Sequence, residues 1–156
     1  MAKSSLRINP CLPAGRLRKL PDFFGWEGGE GLTGLRIYFS LLLNLFWATW
    51  CTSCKEEIPL LEKFYVAKKD QLAILLITID GERKKAAQKI ADQNKVTVPV
   101  LLLLKEKVMD QYGVRGWVPQ TFLIDQEGML AGKIVGQRDW CSPEAWSCLK
   151  EFFELR

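Results

Sequence analysis

The decisive stretch of this chain reads WATWCTSCK and runs from position 47 to position 55. It follows the apolar run 41–47 and precedes residues 55–64, whose apolar side chains recur with helical periodicity. Cys51 and Cys54 therefore stand at the junction between a predicted strand and a predicted helix. A CxxC motif at such a junction is typical of a redox-active dithiol.

The start of the predicted helix gives the two sulfurs different roles. If the helix begins near Cys51, that thiol lies among unpaired backbone N–H groups at the positive end of the helix dipole, which stabilises its thiolate. Cys54 lies about 300° further round the helix, nearly on the same face, so it can close a disulfide with Cys51. We expect Cys51 to be the exposed nucleophile and Cys54 the more buried resolving thiol, in thiol–disulfide exchange through a mixed disulfide.

The amino-acid composition excludes several classes of function. The 156 residues, 48% of them hydrophobic, suit one globular domain. The net charge is +4, with basic residues interspersed among acidic ones, which indicates a solvated surface rather than a nucleic-acid-binding one. The chain has no histidine, which excludes Ser–His and Cys–His nucleophilic sites and removes the commonest metal ligand.

The other cysteines show no motif spacing. The count of five is odd, and within one helix Cys141 and Cys148 would be too far apart for a disulfide. We expect Cys11, Cys141 and Cys148 to be free thiols. A structural zinc site needs four ligands, and the chain has neither a second CxxC nor a histidine. Neither a metal nor another cofactor is expected.

The chain divides into a short extension and one domain. Residues 1–19 are basic and broken by prolines, which predicts a flexible N-terminal extension, and residues 20–156 form the expected domain. The N-terminus shows no signal peptide, because it lacks an apolar stretch of the required length. The longest apolar stretch, 35–50, is short for a membrane span and is interrupted by polar residues, which favours a buried strand.

The remaining pattern predicts an α/β protein. Apolar runs and turn residues predict strands at 35–46 and 72–79, an apolar segment at 98–104, a hairpin at 122–135, and helices at 51–69, 82–94, 105–112 and 142–153. The order βα, βα, hairpin and helix predicts a mixed sheet with helices on both faces.

Four segments match one known family. They read NLFWATWCTSC at 44–54, YGVRG at 112–116, VPQTFLID at 118–125 and RDW at 138–140. With them the chain resembles the thioredoxin superfamily, and within it the TlpA/ResA-like branch of thiol–disulfide oxidoreductases. The resemblance implies a thioredoxin-like three-layer α/β/α fold with a central mixed β-sheet. It also implies protein disulfides or dithiols as substrates and a thiol electron donor; we expect a monomer.

The resemblance implies a role for three further residues. Pro119 matches the family's cis-proline, which faces the dithiol and presents the backbone of Val118 to an extended substrate segment. Glu57 matches an acidic residue that lies near the cysteines and influences their titration. Trp50 matches the aromatic residue before the nucleophile. Two alternatives stay open: a solvated carboxylate at Glu57, favoured by the helix dipole, and a trans turn proline at Pro119.

The chain also departs from the family pattern. Ser53 stands where the family usually has proline, and Leu45 and Trp117 are each one residue extra. Trp117 is a candidate bulge that widens or lines the substrate groove. We therefore take Trp50, Val118 and Trp117 as candidate substrate-binding residues.

The leading functional hypothesis is a protein thiol–disulfide oxidoreductase acting as a reductant, with an apocytochrome c as a substrate by analogy. One alternative is a non-catalytic binding module. Another is a thiol peroxidase, whose Pro-x-x-x-Thr-x-x-Cys loop is not matched, since Asn44 and Ala48 occupy the relevant positions. The family branch implies a periplasmic or other extracytoplasmic location, and the visible N-terminus leaves a cytoplasmic one open.

Overall fold

The protein's computed structural model describes residues 41–103, 109–110, 112–114, 116–125 and 130–154. These residues form five strands, three α-helices and one short 3₁₀ helix. The strands are β1 Leu41–Trp47, β2 Ala73–Thr78, β3 Val100–Leu102, β4 Gln120–Asp125 and β5 Leu130–Val135. The helices are α1 Thr52–Lys68, α2 Lys84–Gln93 and α3 Pro143–Glu154, with the 3₁₀ helix Gly81–Arg83 before α2. None of the helices in these ranges is both long enough and apolar enough to cross a membrane.

The strands form one mixed sheet in the order β3-β2-β1-β4-β5. β1 and β2 run parallel, as do β2 and β3, whereas β4 is antiparallel to both β1 and β5. Every residue of β2 is buried, which explains why its sequence is continuously apolar rather than alternating. β1 lies at the centre of the sheet, as expected from its apolar sequence.

Each face of the sheet carries its own core. Because side chains alternate along a strand, Leu43, Leu45 and Trp47 of β1 pack on the face covered by α1, α2 and α3. Phe46 packs on the opposite face, 4.9 Å from the ring of Tyr112, beside helical residues that follow β3. The architecture is therefore three-layered, and the predicted α/β/α fold class is confirmed.

The element predictions match the structure within a few residues where the structure describes them. The expected helix at 82–94 differs in its first turn, which is 3₁₀ and closes with a bond from the Arg83 N–H to the Asp80 carbonyl, 2.9 Å long. The extension at 1–19, the first part of the strand predicted at 35–46 and most of the helix predicted at 105–112 lie outside the described residues; positions 109, 110 and 112 of that helix are described and are helical.

Hydrogen bonds to the Asp80 carboxylate connect the segment before Cys51 to the end of β2. Its Oδ2 accepts hydrogen bonds from the backbone N–H of Thr49, at 3.1 Å, and from the Thr49 hydroxyl, at 2.5 Å. Its Oδ1 accepts from the hydroxyl of Thr78. Since Thr49 is two residues from Cys51, this carboxylate fixes where α1 begins relative to the sheet.

We expect Asp80→Asn to destabilise the protein, because the amide nitrogen cannot accept a hydrogen bond from Thr49 or Thr78. The free energy of unfolding should fall by about 1–3 kcal/mol, measured by urea denaturation. Asp92→Asn is the matched control: Asp92 is exposed and accepts from the Gln88 side chain, so its change should stay within about 0.5 kcal/mol. An equal loss in both variants would contradict the assigned role.

Candidate active site

Cys51 is the N-cap residue of α1. Its backbone is extended, with φ −88° and ψ 110°, and its sulfur accepts a hydrogen bond from the backbone N–H of Cys54 at 3.2 Å. One of the unpaired donors at the helix start thus points at the sulfur, as the position of the motif predicts. This hydrogen bond and the helix dipole would stabilise a thiolate at Cys51 more than they stabilise the neutral thiol.

Cys51 and Cys54 form a disulfide, with their Cα atoms 5.3 Å apart. Cys54 is fully buried, whereas Cys51 keeps 6% of its surface exposed. Cys51 is more exposed than Cys54, as expected. The exposed fraction of Cys51 is nevertheless small, so in the disulfide form it is not the exposed side chain that the sequence predicts. The cover comes from the Ser53 hydroxyl, 3.5 Å from the Cys51 sulfur, and from the backbone of Val118.

The segment before β4 lies against the dithiol. The Val118 carbonyl oxygen is 3.6 Å from the Cys51 sulfur, within reach of a hydrogen bond from the reduced thiol. The Val118–Pro119 peptide bond is cis, so the alternative of a trans turn proline is wrong. Chain positions 67 residues apart therefore meet at one point.

Two large aromatic side chains stand exposed beside this point. Trp50, directly before Cys51, is 56% exposed, and Trp117, directly before Val118, is 76% exposed. The carbonyl of Trp117 accepts a hydrogen bond from the Gln120 side chain at 2.5 Å. This bond fixes the backbone of Trp117 while its indole lies in solvent.

Glu57 is fully buried, so the alternative of a solvated carboxylate is wrong. It lies on the face of α1 that packs on the sheet, because Cys54, Ile58 and Leu61 share that face and are also buried. The Trp140 indole N–H donates to Glu57 Oε1 at 2.6 Å, and no described residue makes a hydrogen bond of standard geometry to Oε2. Burial raises the pKa of Glu57 to about 7, against smaller opposing effects of the Trp140 hydrogen bond and of the backbone and charge of Arg138.

Two functional features escaped the sequence analysis. Trp140 enters the sequence analysis only within the matched segment RDW, yet it is buried and its indole donates to a carboxylate 83 residues away. Asp80 directly follows the strand predicted at 72–79, and the sequence pattern indicates no role for it. Neither contact has a local sequence signal, since each joins segments that meet only in the folded sheet.

The structure describes two further cysteines, Cys141 and Cys148. Cys141 is an exposed free thiol, as predicted. Cys148 is disulfide-bonded, so the prediction of a free thiol there is wrong. The separation expected for Cys141 and Cys148 along one helix excludes only a bond between these two residues. Cys11 lies outside the described residues.

Comparisons with known proteins agree with this site. The profile of the AhpC/TSA family matches residues 40–133. The thiol-disulfide oxidoreductase ResA of Geobacillus thermodenitrificans is 36% identical over 92 residues, which are 58% of this chain and 52% of ResA. The chain thus spans about half the length of this relative.

Solved structures give the same fold. A thiol:disulfide interchange protein from Bacteroides sp. is 27% identical, with a TM-score of 0.61 over 74% of each chain. StoA from Bacillus subtilis has a TM-score of 0.60 over 69% of this chain and 82% of its own; at 23% identity this likeness concerns the fold alone. Because the family profile covers more than half of the chain, the protein belongs to the AhpC/TSA family within the thioredoxin superfamily.

Proposed function

We propose that the protein is a thiol–disulfide oxidoreductase that exchanges its Cys51–Cys54 dithiol with disulfides of protein substrates, acting as a reductant. The observation that carries the proposal is the position of the Cys51 sulfur, which lies at the start of α1, bonded to Cys54 and 3.6 Å from the carbonyl before a cis-proline. The names of the relatives, thiol-disulfide oxidoreductase and thiol:disulfide interchange protein, support it.

The reaction needs only the two sulfurs and proton transfer. The Cys51 thiolate attacks one sulfur of a substrate disulfide, and the other substrate sulfur leaves as a thiolate. Cys54 then loses its proton and attacks the Cys51 sulfur in the resolving step, which releases the second substrate thiolate and closes the Cys51–Cys54 disulfide. Two electrons pass to the substrate, and an external thiol donor restores the dithiol.

In this proposal Glu57 accepts the proton of Cys54. The two residues are three apart on α1 and face the sheet together, so their side chains are neighbours. Burial raises the pKa of Glu57 to about 7, which matches a general base working near neutral pH. Below that pH the carboxyl is protonated and cannot take the proton, so the resolving step should slow as the pH falls through 7.

The exposed indoles supply the proposed substrate-binding surface. An extended substrate segment would lie along the Val118 backbone between Trp50 and Trp117, since exposed tryptophans are the side chains that most often contribute binding energy. By analogy with the ResA-like relatives, we take an apocytochrome c as a substrate and an extracytoplasmic compartment as the site of action. Residues 20–156 would act as the thioredoxin-like domain, with 1–19 as an extension.

A peroxidase is less well supported. The position of the threonine in the peroxidase loop is taken by Ala48, which has no hydroxyl. The position of the proline is taken by Asn44, which is buried and whose side-chain amide donates to the Tyr112 hydroxyl at 3.3 Å. Neither residue can therefore take the part of the proline or the threonine of that loop.

The first test is the Cys54→Ser variant with a CxxCH peptide disulfide. Because the resolving thiol is missing, the peptide should stay bound as a mixed disulfide on Cys51, visible by mass spectrometry without reductant. Cys141→Ser should turn over like the wild-type protein, since Cys141 is a separate exposed thiol. A Cys51→Ser, Cys54→Ser double variant that still retains the peptide would favour a binding module, and peroxide consumption by the wild-type protein would favour a peroxidase.

The second test concerns Glu57→Gln, which keeps the shape but cannot accept a proton. The rate of the resolving step should fall about 100-fold at pH 8, and the inflection near pH 7 in its pH dependence should disappear. The rate is measured by quenching the reaction at set times and quantifying the released peptide thiol. Glu56→Gln, at an exposed neighbouring position, should keep both the rate and the inflection. An unchanged profile in Glu57→Gln would exclude the carboxyl as the base.

The third test concerns Trp117→Ala. We expect the KM for a peptide disulfide to rise about tenfold or more, because the peptide would cover the Trp117 indole on binding and this contact is lost in the variant. Reduction of the protein's own disulfide by dithiothreitol should hardly change, since that reagent makes no such contact. Val66→Ala removes another exposed apolar side chain, near the far end of α1, and should leave KM unchanged; an equal effect would contradict a specific role of Trp117.

A further inference from the structure

Trp140 lies in the segment between β5 and α3 and closes over α1. Its side chain is 2% exposed, and its ring packs on the ring of Phe64, with the centroids 5.6 Å apart. The packing fixes the plane of the indole, so the direction of its N–H is fixed as well. That N–H points at Glu57 Oε1 over 2.6 Å.

The chemistry of the indole decides which carboxyl oxygen can carry a proton. An indole nitrogen donates a hydrogen bond and cannot accept one. Glu57 Oε1 must therefore act as an acceptor whether the carboxyl is ionised or neutral. The carbonyl oxygen of a neutral carboxyl group is a stronger acceptor than its hydroxyl oxygen, so the indole favours the proton of the neutral acid on Oε2, for which the described residues supply no hydrogen bond of standard geometry.

Few other charged or titratable groups among the described residues affect the pKa of the Glu57 carboxyl. Among the described residues, the charged side chain that acts on Glu57 is Arg138, two residues before Trp140 in the same segment. On α1 itself, the neighbour that faces the sheet one turn earlier is Cys54, which is fully buried and becomes a titratable thiol when the disulfide is reduced. The segment that supplies Trp140 therefore supplies the indole hydrogen bond, a weaker hydrogen bond from the Arg138 backbone and the nearby positive charge.

We propose that Trp140 is a positioning residue of the resolving step: its indole N–H holds Glu57 Oε1 and leaves Oε2 as the oxygen that takes the proton from Cys54. The S–H bond of Cys54 breaks and an O–H bond forms on Oε2. The Cys54 sulfur bonds to Cys51, and the substrate sulfur leaves with its electron pair. The inference rests on the proposed role of Glu57 as the proton acceptor.

Trp146 is a matched control for this role. It lies on α3 and also packs on Phe64, with the ring centroids 6.0 Å apart. Its ring faces the Lys68 ammonium at 4.6 Å, and it makes no hydrogen bond to Glu57. Trp146→Phe therefore perturbs the same aromatic contact without touching the carboxyl.

The experiment compares Trp140→Phe with Trp146→Phe in the full chain. Phenylalanine keeps an aromatic ring but has no N–H, so the ionised form of Glu57 loses the side-chain hydrogen bond that lowers its pKa most. We expect the inflection of the resolving step to move up by about one pH unit or more, and the carboxyl carbon signal of Glu57, followed by NMR, to titrate with the same shift. Trp146→Phe should keep both midpoints, and an unchanged midpoint in Trp140→Phe would overturn the proposal.

A measurement on the unaltered tryptophan covers the case in which Trp140→Phe folds poorly. The indole N–H resonance of Trp140 should shift with pH in the wild-type protein, with the midpoint of Glu57, and should stop shifting in Glu57→Gln. An indole resonance that ignores pH in the wild-type protein would overturn the proposal. These signals need no turnover, so they separate this inference from a failure of the oxidoreductase function, which would appear as absent thiol release in the wild-type protein.

Discussion

The site depends on the hydrogen bond from the Cys54 backbone N–H to the Cys51 sulfur. The bond exists because α1 begins directly after Cys51, and α1 begins there because the segment before it is anchored. The Cys51 N–H bonds to the Ala48 carbonyl at 3.1 Å, and Thr49 is held by the carboxylate of Asp80. A shift in the helix start would move the sulfur away from the donors that stabilise its charge.

The sheet topology supplies the opposite wall of the site. β4 runs antiparallel to β1, and Gln120 at its beginning pairs with Phe46 near the end of β1. The residues just before β4 and just after β1 therefore meet at one edge of the sheet. This pairing brings the Val118 carbonyl to the Cys51 sulfur, and it places Trp117 on the same side as Trp50.

The buried carboxyl beneath the dithiol is a cost to the fold. Glu57 takes a core position on α1, and one of its oxygens makes no hydrogen bond of standard geometry with the described part of the chain, so an apolar residue would be more stable there. The Trp140 hydrogen bond offsets part of that cost. A group that weakens local stability and titrates near neutral pH is what the proposed proton transfer requires, so the polar residue in the core has a functional explanation.

Local sequence was sufficient for the dithiol and most of the fold. The CxxC spacing, the apolar run before it and the helical pattern after it placed Cys51 at a helix start, and the apolar runs placed the buried strands. Family resemblance added Pro119 and drew attention to Glu57. These features were accessible because helix starts, strand burial and turn residues are encoded by neighbours in the chain.

Only the tertiary structure decided the rest. Whether Glu57 is solvated or buried depends on which face of α1 packs on the sheet. Its pKa is raised by that burial, against smaller effects of Trp140 and Arg138, which lie more than 80 residues further along the chain. The same holds for the cover over Cys51 and for the Asp80 bonds. Contacts between distant segments arise from strand order and register, so local periodicity carries no record of them.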